Sequence, residues 1–338
     1  MTTVFVSHPT SKLPQYFGSK ASAALEALAT VRYNPHDREL DNAEIAAIAH
    51  DCAFIISYRQ TAADEALFAV LPNLAAFLRC AIDIRNIDVE SASRHGVLVT
   101  QASAGFITSV SEWTIGAMID LSRHMTSAAE SYHAGQVPSP QMGRELRGST
   151  LGLIGYGQIG RQLCQLALAF GMRIVVHDPY TRVAQPGIVQ CELQPLLQQS
   201  DYVVCLATAT PETENLMGRK TFVAMRPGAF FINPSRGNLV DEDALREALD
   251  SGHIAGCALD VGRAPDQMPT PALARHPKVI ANPHIGGLTP PAVEHQAMET
   301  VQQVGALIEG RFPQGAVNES HATRLQALWA TCKQTKVA

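Results

Sequence analysis

The sequence predicts an α/β protein in which helices cover parallel sheets, arranged in two domains. Its 338 residues are more than one hydrophobic core usually serves, so two domains are expected. From Leu151 onward, short apolar runs alternate with helical patterns, which is typical of a parallel sheet covered by helices. The first hundred residues repeat the alternation more loosely. They indicate a second, smaller α/β domain.

Each element of the larger domain depends on a local pattern. Apolar residues at helical spacing from Ile159 to Phe170 separate the first two strands and complete a strand-helix-strand unit. Upstream, residues 112–125 contain no proline and several large apolar side chains, so we expect one long, largely buried helix. Two prolines mark residues 135–143 as a loop. The expected strands of this domain are 151–155, 172–177, 202–207, 229–233, 254–261 and 279–281.

The smaller domain and the chain end give weaker patterns. Strands are expected near residues 4–7, 54–57 and 97–100. The last twenty residues contain Leu325 and Trp329 and predict a short helix, without indicating where it docks. The sequence has no internal repeat and no low-complexity tract.

Composition and charge exclude several classes of function. The net charge of −5 is mild, and lysine and arginine are scattered, so we expect no nucleic-acid partner. No segment reaches the ~18 consecutive apolar residues of a membrane span. The first residues are typical of a strand and not of a signal peptide. We therefore expect a cytoplasmic protein with no membrane partner.

The cysteines indicate no metal site. The seven cysteines include no C-x-x-C pair, and most stand in apolar runs, so buried free thiols explain them best. A zinc site or a catalytic cysteine would need a partner at ligand spacing, and the sequence offers none. We expect no bound metal.

The most informative motif is a G-x-G-x-x-G turn that closes an apolar strand and opens a helix. Gly155 permits the tight turn, Gly157 lets a pyrophosphate approach the backbone, and Gly160 lets the helix pack closely on the sheet. The free amides at the helix N-terminus attract the phosphates. The motif alone is weak evidence, but in this setting it predicts a Rossmann-type dinucleotide site. Its residues are Gly155, Tyr156, Gly157, Gln158, Ile159 and Gly160.

An acidic residue selects the dinucleotide. Asp178 ends the next strand, where a carboxylate can bind the adenosine ribose and repel a 2′-phosphate. We therefore expect NAD, although Arg182 nearby leaves NADP open. The alternative is a glycine turn that binds nothing, with Asp178 and Pro179 simply starting a turn.

Six segments of the chain match the motifs of one enzyme family. They read NIDVESASRHGVLVTQ, GLIGYGQIG, TPET, MRPGAFFINPSRGNLVDEDALREAL, GCALDV and NPHIGG. On these segments the chain resembles the D-isomer-specific 2-hydroxyacid dehydrogenases, such as D-lactate, glycerate, 3-phosphoglycerate and formate dehydrogenases. The resemblance implies a doubly wound NAD domain over residues 102–287 and a flavodoxin-like substrate domain from residues 1–101 and 288–338. It also implies a homodimer formed through the helix near Glu112.

The resemblance assigns roles to three further residues. Arg236 would bind the substrate carboxylate and polarise its carbonyl, which suits a planar fork of donors; otherwise it is a surface arginine after a strand. His284 would exchange the proton of the substrate hydroxyl, since imidazole titrates near neutrality, whereas a lone loop histidine is usually structural. Asp260 would hold the nicotinamide amide, or is only a solvated carboxylate. Beyond the glycine turn, the expected cofactor contacts are Asp178, Pro179, Ala207, Thr208, Ser235, Arg236, Asp260, His284, Gly286 and Gly287.

The chain departs from the family beside the histidine. Most members have a glutamate five residues after the position of Asp260, which binds the histidine and raises its pKa, and here that residue is Pro265. Asp266 follows and could reach His284 after a small loop shift, where its charge would favour imidazolium. We therefore include Asp266 with Arg236 and His284 among the catalytic residues. The alternative is a histidine without a carboxylate and an activity optimum at more acid pH.

A second departure lies in the expected substrate loop. Ala81, Ile82 and Asp83, with Arg236, are the expected substrate contacts, and the family usually has glycines at the positions of Ala81 and Asp83. An inward carboxylate would repel an anionic substrate. Either Asp83 faces away, or the substrate is not a simple 2-hydroxy acid. Phe106, where the family often has asparagine, makes the pocket less polar.

The leading functional hypothesis is reversible hydride transfer between NAD and a small 2-hydroxy or 2-keto acid. The missing glutamate and the altered loop motivate an alternative, a non-enzymatic NAD(H)-sensing regulator on the same scaffold. A sensor needs neither Arg236 nor His284, which argues against it. A third hypothesis is oxidation of a formate-like or non-carbon anion, which a pocket too small for a three-carbon substrate would favour.

Overall fold

The computed structural model describes residues 2–335, with side chains for all of them except Asp266 and residues 332–335. The chain divides into two compact units, Met1–Gly105 with Pro290–Ala338, and Phe106–Thr289. No helix within the described residues combines the length and the apolar character needed to cross a bilayer.

The first unit is built on a five-stranded sheet. Its strands are β1 (Thr3–Val6), β2 (Thr30–Tyr33), β3 (Phe54–Ser57), β4 (Ala76–Arg79) and β5 (Leu98–Gln101). The helices between them are α1 (Leu13–Tyr16), α2 (Ser19–Leu28), α3 (Asn42–Ala49), α4 (Glu65–Val70) and α5 (Val89–Arg94). The strand order is β2-β1-β3-β4-β5, and every neighbouring pair is parallel.

Alternating side chains place a core on each face of this sheet. Val4 and Val6 pack into one cluster with Leu25 of α2, whereas Phe5 packs into another with Leu67 of α4, as the two-residue period of a strand requires. Aspartates fix the starts of three helices, because the side chain before α3, α4 and α5 accepts a hydrogen bond from the first turn.

The second unit is built on a seven-stranded sheet. Its strands are β6 (Thr150–Ile154), β7 (Arg173–His177), β8 (Ile188–Gln190), β9 (Tyr202–Cys205), β10 (Phe230–Asn233), β11 (Gly256–Leu259) and β12 (Val279–Ala281). Its helices are α6 (Ile107–Arg123), α7 (Met125–His133), α8 (Gln158–Ala169), α9 (Leu193–Gln199), α10 (Arg219–Ala224), α11 (Glu242–Asp250) and α12 (Pro271–Ala274).

The order of these strands is β12-β11-β10-β9-β6-β7-β8, and all neighbouring pairs are parallel. If β6 to β12 are numbered 1 to 7 and the sheet is read from β8, the order is 3-2-1-4-5-6-7. This is the doubly wound Rossmann topology with one additional strand. The prediction of two parallel α/β sheets is therefore confirmed. The order reverses next to β6, where this topology binds ligands at the carboxyl ends of the strands.

The chain then returns to the first unit through α13 (Pro290–Ile308) and α14 (Thr323–Thr335). The helix predicted in the last twenty residues is confirmed as α14. Leu325 of this helix is fully buried in the cluster on the α2 face, and the indole nitrogen of Trp329 donates to the carbonyl of Leu307 at 2.6 Å.

Several sequence predictions differ from the structure. The strands β2, β4 and β8 were not predicted; β2 and β8 have no fully buried residue, whereas β4 is buried along its whole length and was missed nonetheless. The long helix begins earlier than predicted and ends at Arg123, and the φ of 57° at His124 separates α6 from α7. Of the six cysteines with described side chains, all are free, but Cys80 and Cys191 are only half-buried.

Candidate active site

The glycine turn has the geometry that its motif requires. Gly155 follows β6 with a φ of 97°, and a Cβ there would lie 2.6 Å from the carbonyl oxygen of Leu206. A Cβ on Gly160 would lie 2.7 Å from the carbonyl oxygen of Gly155, so α8 packs directly against the turn. A Cβ added to Gly157 would meet no other atom within 4 Å. The turn is therefore crowded on its protein side and open at its middle glycine, which is the shape of a pyrophosphate cradle.

Asp178 is hydrogen-bonded to the same turn. One carboxylate oxygen accepts from the amide of Tyr156 at 2.7 Å, and the other accepts from the amides of Tyr180 and Thr181, each at 2.9 Å. Burial would raise the pKa of this carboxyl, but the three backbone amides outweigh burial and hold the pKa below its usual value. The carboxylate stays ionised beside the cradle, where it favours a ribose diol over a 2′-phosphate.

The loops after β9 and β10 bring Ala207 and Arg236 to the same edge of the sheet. The hydroxyl of Ser235 donates to the carbonyl of Ala207 at 2.8 Å, which joins the two loops. Arg236 has extended backbone and is half-buried, and one of its guanidinium nitrogens donates to the carbonyl of Ser235 at 2.8 Å. On the same edge, the carbonyl of Thr208 accepts from Thr213.

Asp260 holds the loop that carries His284. It is 2% exposed, and its two oxygens accept from the amides of Ile285 and Gly286, each at 2.8 Å. A Cβ on Gly286 would lie 2.7 Å from the carboxylate, so only glycine allows this approach. His284 itself has a φ of 56°. The structure thus gives Asp260 a positioning contact that the sequence did not predict, and its contact with nicotinamide stays a prediction.

The second glycine of this loop approaches Phe106. A Cβ on Gly287 would lie 3.1 Å from the Cβ of Phe106, the residue that precedes α6. From the same helix, the indole nitrogen of Trp113 donates to the side-chain oxygen of Asn282 at 3.0 Å. The helix α6 therefore packs against the histidine loop. No sequence motif predicted this contact.

In the turn after β11, Pro265 stands at the position where most of the family has glutamate. Residues Pro265–Gln267 form a short 3-10 turn, and the amide of Gly262 donates to the carbonyl of Gln267 at 2.8 Å to close it. The side chain of Asp266 lies outside the described residues. Its role toward His284 stays a prediction.

In the first unit, the expected substrate loop follows β4. The carboxylate of Asp83 forms a bidentate pair with Arg85, with nitrogen–oxygen distances of 2.8 and 3.0 Å. Arg79 is 5% exposed and donates to the carbonyls of Asp83 and Arg59; burial lowers its pKa to about 10. Ala81 is half-buried, whereas Ile82 is exposed. The sequence did not predict that Arg85 would balance the charge of Asp83.

Among the described residues, no group of three or more histidine, cysteine, aspartate or glutamate side chains could hold a metal ion. In the second unit, Asp178 and Asp260 instead accept from backbone amides and hold the glycine turn and the loop after β12 in place. The open middle glycine of the turn and the N-terminus of α8 suit a phosphate-bearing organic ligand.

Comparison with known proteins identifies that ligand. Residues 115–286, just over half of the chain, match the family model described as "D-isomer specific 2-hydroxyacid dehydrogenase, NAD binding domain". The chain belongs to this family. Its second unit therefore contains an NAD-binding domain, and the open cradle at Gly157 and the ionised Asp178 fit that cofactor.

Individual relatives agree with the family. D-3-phosphoglycerate dehydrogenase of Bacillus subtilis is 34% identical over 262 residues, which cover 76% of this chain and 50% of that protein. Hydroxypyruvate reductase of Thermotoga maritima is 33% identical over 69% of this chain and 77% of that protein. D-Lactate dehydrogenase of Aquifex aeolicus, solved with NAD and lactic acid, has a TM-score of 0.76 and 26% identity over 91% of this chain and 96% of that chain. This chain spans about half the length of the D-3-phosphoglycerate dehydrogenases that it matches.

Proposed function

We propose that the protein is an NAD-dependent dehydrogenase that transfers a hydride reversibly between NAD and a small D-2-hydroxy or 2-keto acid. The observation that carries this proposal is a continuous set of hydrogen bonds at one edge of the second sheet. The side chain of Asn233 donates to the carbonyl of Arg236 at 2.9 Å, and the carbonyl of Asn233 accepts from the amide of Asp260 at 3.2 Å. Asp260 in turn holds the amides that follow His284.

This set of bonds supports separate roles for the guanidinium of Arg236 and the imidazole of His284. When bound, NADH supplies the hydride. In the reducing direction, Arg236 would hold the substrate carboxylate and polarise the carbonyl at C2. The imidazolium of His284 would give a proton to the carbonyl oxygen as C2 accepts the hydride. The products are the 2-hydroxy acid, oxidised NAD and a neutral imidazole, and oxidation of the hydroxy acid reverses each transfer.

The remaining site residues are proposed as follows. The amides of the glycine turn hold the pyrophosphate, and Asp178 with Pro179 lines the adenosine ribose. Ala207, Thr208, Ser235, Gly286 and Gly287 line the rest of the dinucleotide. Asp266 is the carboxylate partner of His284. Ala81, Ile82 and Asp83 contribute the substrate loop.

The proposed domain roles follow from these assignments. Residues 102–287 would bind NAD, and residues 1–101 with 288–338 would bind the acid. The pairing of Asp83 with Arg85 supports an anionic substrate, because the pair removes the negative charge that would oppose one.

We also propose a cytoplasmic homodimer. Large exposed apolar side chains concentrate after α6, where Tyr132, Val137 and Met142 are 61%, 84% and 96% exposed, which is unusual for a surface that stays in water. A second copy of the chain would cover them, and the mass of the protein in solution tests this. Free cysteines suit a reducing compartment.

The experiment that tests the function replaces His284. His284→Asn removes the titrating group, and asparagine tolerates the left-handed backbone better than alanine does. We expect turnover of a panel of 2-keto acids with NADH, lowered in this variant by roughly 100-fold or more. The matched control is His276→Asn, because His276 precedes β12 whereas His284 follows it, and its activity should stay near wild type.

The pH profile of the wild type and of Asp266→Asn completes this experiment. Loss of a carboxylate partner would disfavour the imidazolium that reduction requires, so the optimum for keto-acid reduction should move toward acid pH. Unchanged turnover in His284→Asn would refute the role of the histidine. Tight NADH binding without turnover of any keto acid in the wild type would instead support the sensor hypothesis.

A further inference from the structure

Three neighbouring loops of the second unit meet at Arg263. The loops follow β9, β10 and β11, which are adjacent strands of the sheet. From the third loop, one terminal guanidinium nitrogen of Arg263 donates to a carboxylate oxygen of Glu214 at 2.9 Å and to the side-chain oxygen of Asn215 at 2.6 Å. The same nitrogen donates to the carbonyl of Asn238 at 3.0 Å, and Nε donates to the carbonyl of Val240 at 2.9 Å. One side chain thus binds both other loops.

The partners of Arg263 also bind one another. The side chain of Asn238 donates to Glu214 at 3.0 Å, and the amide of Asn215 donates to the carbonyl of Asn238 at 2.9 Å. The amide of Arg263 donates to Glu242 at 3.1 Å. Hydrogen bonds from Asn238 and then from Arg263 hold the pKa of Glu214 below its usual value. We call these residues the Arg263 clamp: Glu214, Asn215, Asn238, Val240, Glu242 and Arg263.

One glycine shows that two of the clamped loops are in backbone contact. A Cβ on Gly237, in the loop after β10, would lie 2.0 Å from the carbonyl oxygen of Gly262, in the loop after β11, so Gly237 can carry no side chain unless these loops separate. Gly262 is crowded within its own loop, since a Cβ there would lie 2.4 Å from the Cα of Pro269. Gly237 directly follows Arg236, and Gly262 is hydrogen-bonded to Gln267 at the far end of the 3-10 turn. A shift of either loop is therefore passed to the other.

We propose that Arg263 is a positioning residue that locks these loops together and thereby fixes Arg236 and the turn Pro265–Gln267. The inference rests on the proposed function, since it concerns the precision of that reaction. The clamp also constrains the backbone that carries Asp266, because the amide of Gly262 in the same loop donates to the carbonyl of Gln267 across the 3-10 turn. Misplacement of a catalytic group by about 1 Å can cost roughly 100-fold in rate.

The test compares Arg263→Met, which keeps the length of the side chain and removes its donors, with Arg263→Lys, which keeps one donor group and the charge. The matched control is Arg246→Met, because Arg246 lies on α11 and forms an exposed pair with Asp243. For each protein, kcat, KM for NADH, melting temperature and backbone hydrogen exchange are measured. Exchange is followed at residues 235–240, at residues 262–268 and, as an internal reference, at the glycine turn.

We expect Arg263→Met to lower kcat by roughly 10-fold or more. KM for NADH should rise by a smaller factor, because the glycine turn lies outside the clamp and only part of the proposed dinucleotide site, including Ser235 and Arg236, lies in the clamped loops. Exchange should rise by roughly 10-fold in both loops and stay unchanged in the glycine turn. Arg263→Lys should recover part of both effects, and Arg246→Met should resemble the wild type.

Two results would overturn the inference. One is a kcat within about 2-fold of wild type in Arg263→Met. The other is unchanged exchange in either loop. If the wild type turns over no keto acid, the proposed function fails on its own, and the exchange data still decide whether Arg263 couples the loops.

Discussion

The loops at the carboxyl ends of the two sheets differ in how completely their buried polar groups are bonded. In the second unit, both oxygens of Asp178 and of Asp260 accept from backbone amides. In the first unit, Nδ1 of His8 and the hydroxyl of Ser57 are buried without a hydrogen-bond partner, and both stand at the ends of adjacent strands, β1 and β3.

The exception in the second unit is informative. Among the described side chains, its one buried oxygen without a partner belongs to Gln267, whose φ is 58°. Gln267 closes the turn in which this chain departs from its family. The side chains that hold the glycine turn and the histidine loop are thus hydrogen-bonded, whereas the turn with proline at the family glutamate position keeps a buried oxygen without a partner.

The largest expected effect comes from disrupting the glycine turn of the second unit. Gly155→Ala forces a Cβ to within 2.6 Å of the carbonyl oxygen of Leu206 at a φ of 97°, so NADH binding should weaken by roughly 100-fold or more. Fluorescence titration of NADH measures this. The control is Gly148→Ala, which has a φ of 76° but nothing within 4 Å, and which should bind NADH within about 3-fold of wild type. Equal affinities in the two variants would show that the crowding at Gly155 is not important.

A smaller effect is expected in the first unit, where the buried His8 makes the stability of the protein depend on pH. Burial, with a contribution from the charge of Arg79, lowers the pKa of His8 from 6.5 to about 3. Between these pH values the unfolded chain binds a proton that the native state does not. Stability is therefore complete above pH 6.5 and falls as the pH decreases, by about 2 kcal/mol at pH 5.

His8→Phe should remove this pH dependence, since phenylalanine can keep the ring contacts with Phe17 and Tyr58 and cannot be protonated. The measurement is denaturant unfolding at pH 7.5 and pH 5 in a Trp113→Phe background, where Trp329 is the one remaining tryptophan and reports on the first unit. His50→Phe, on the surface of the same unit, is the control. The same loss of stability at pH 5 in wild type and His8→Phe would contradict a buried neutral histidine.

The sequence predicted those parts of the fold and site that depend on local pattern. The strand Phe54–Ser57 is buried along its whole length and was predicted at its observed bounds. The edge strand Thr30–Tyr33 has no fully buried residue and gave no signal. The glycine turn was predictable because backbone conformation and close approach permit only glycine there.

The Arg263 clamp could not be predicted in the same way. Its partner Glu214 lies 49 residues away along the chain, and none of the contacts has a characteristic spacing. The contact of Asp260 with the histidine loop was hidden for the same reason, since it spans 25 residues. Such contacts become visible only when the strand order brings the loops side by side.

The smallest expected effect concerns the charge pair in the proposed substrate loop. Arg85→Met would leave the carboxylate of Asp83 without its bidentate partner, so KM for an anionic keto acid should rise by about 5-fold through repulsion at short range. Asp83→Asn should lower KM by a comparable factor, because it leaves the positive charge of Arg85 unbalanced beside the anionic substrate. The double variant should return to near the wild-type KM, and KM for NADH should not respond. If Arg85→Met leaves KM unchanged while Asp83→Asn raises it, then the carboxylate contributes to substrate binding directly, and the substrate is not a simple 2-hydroxy acid.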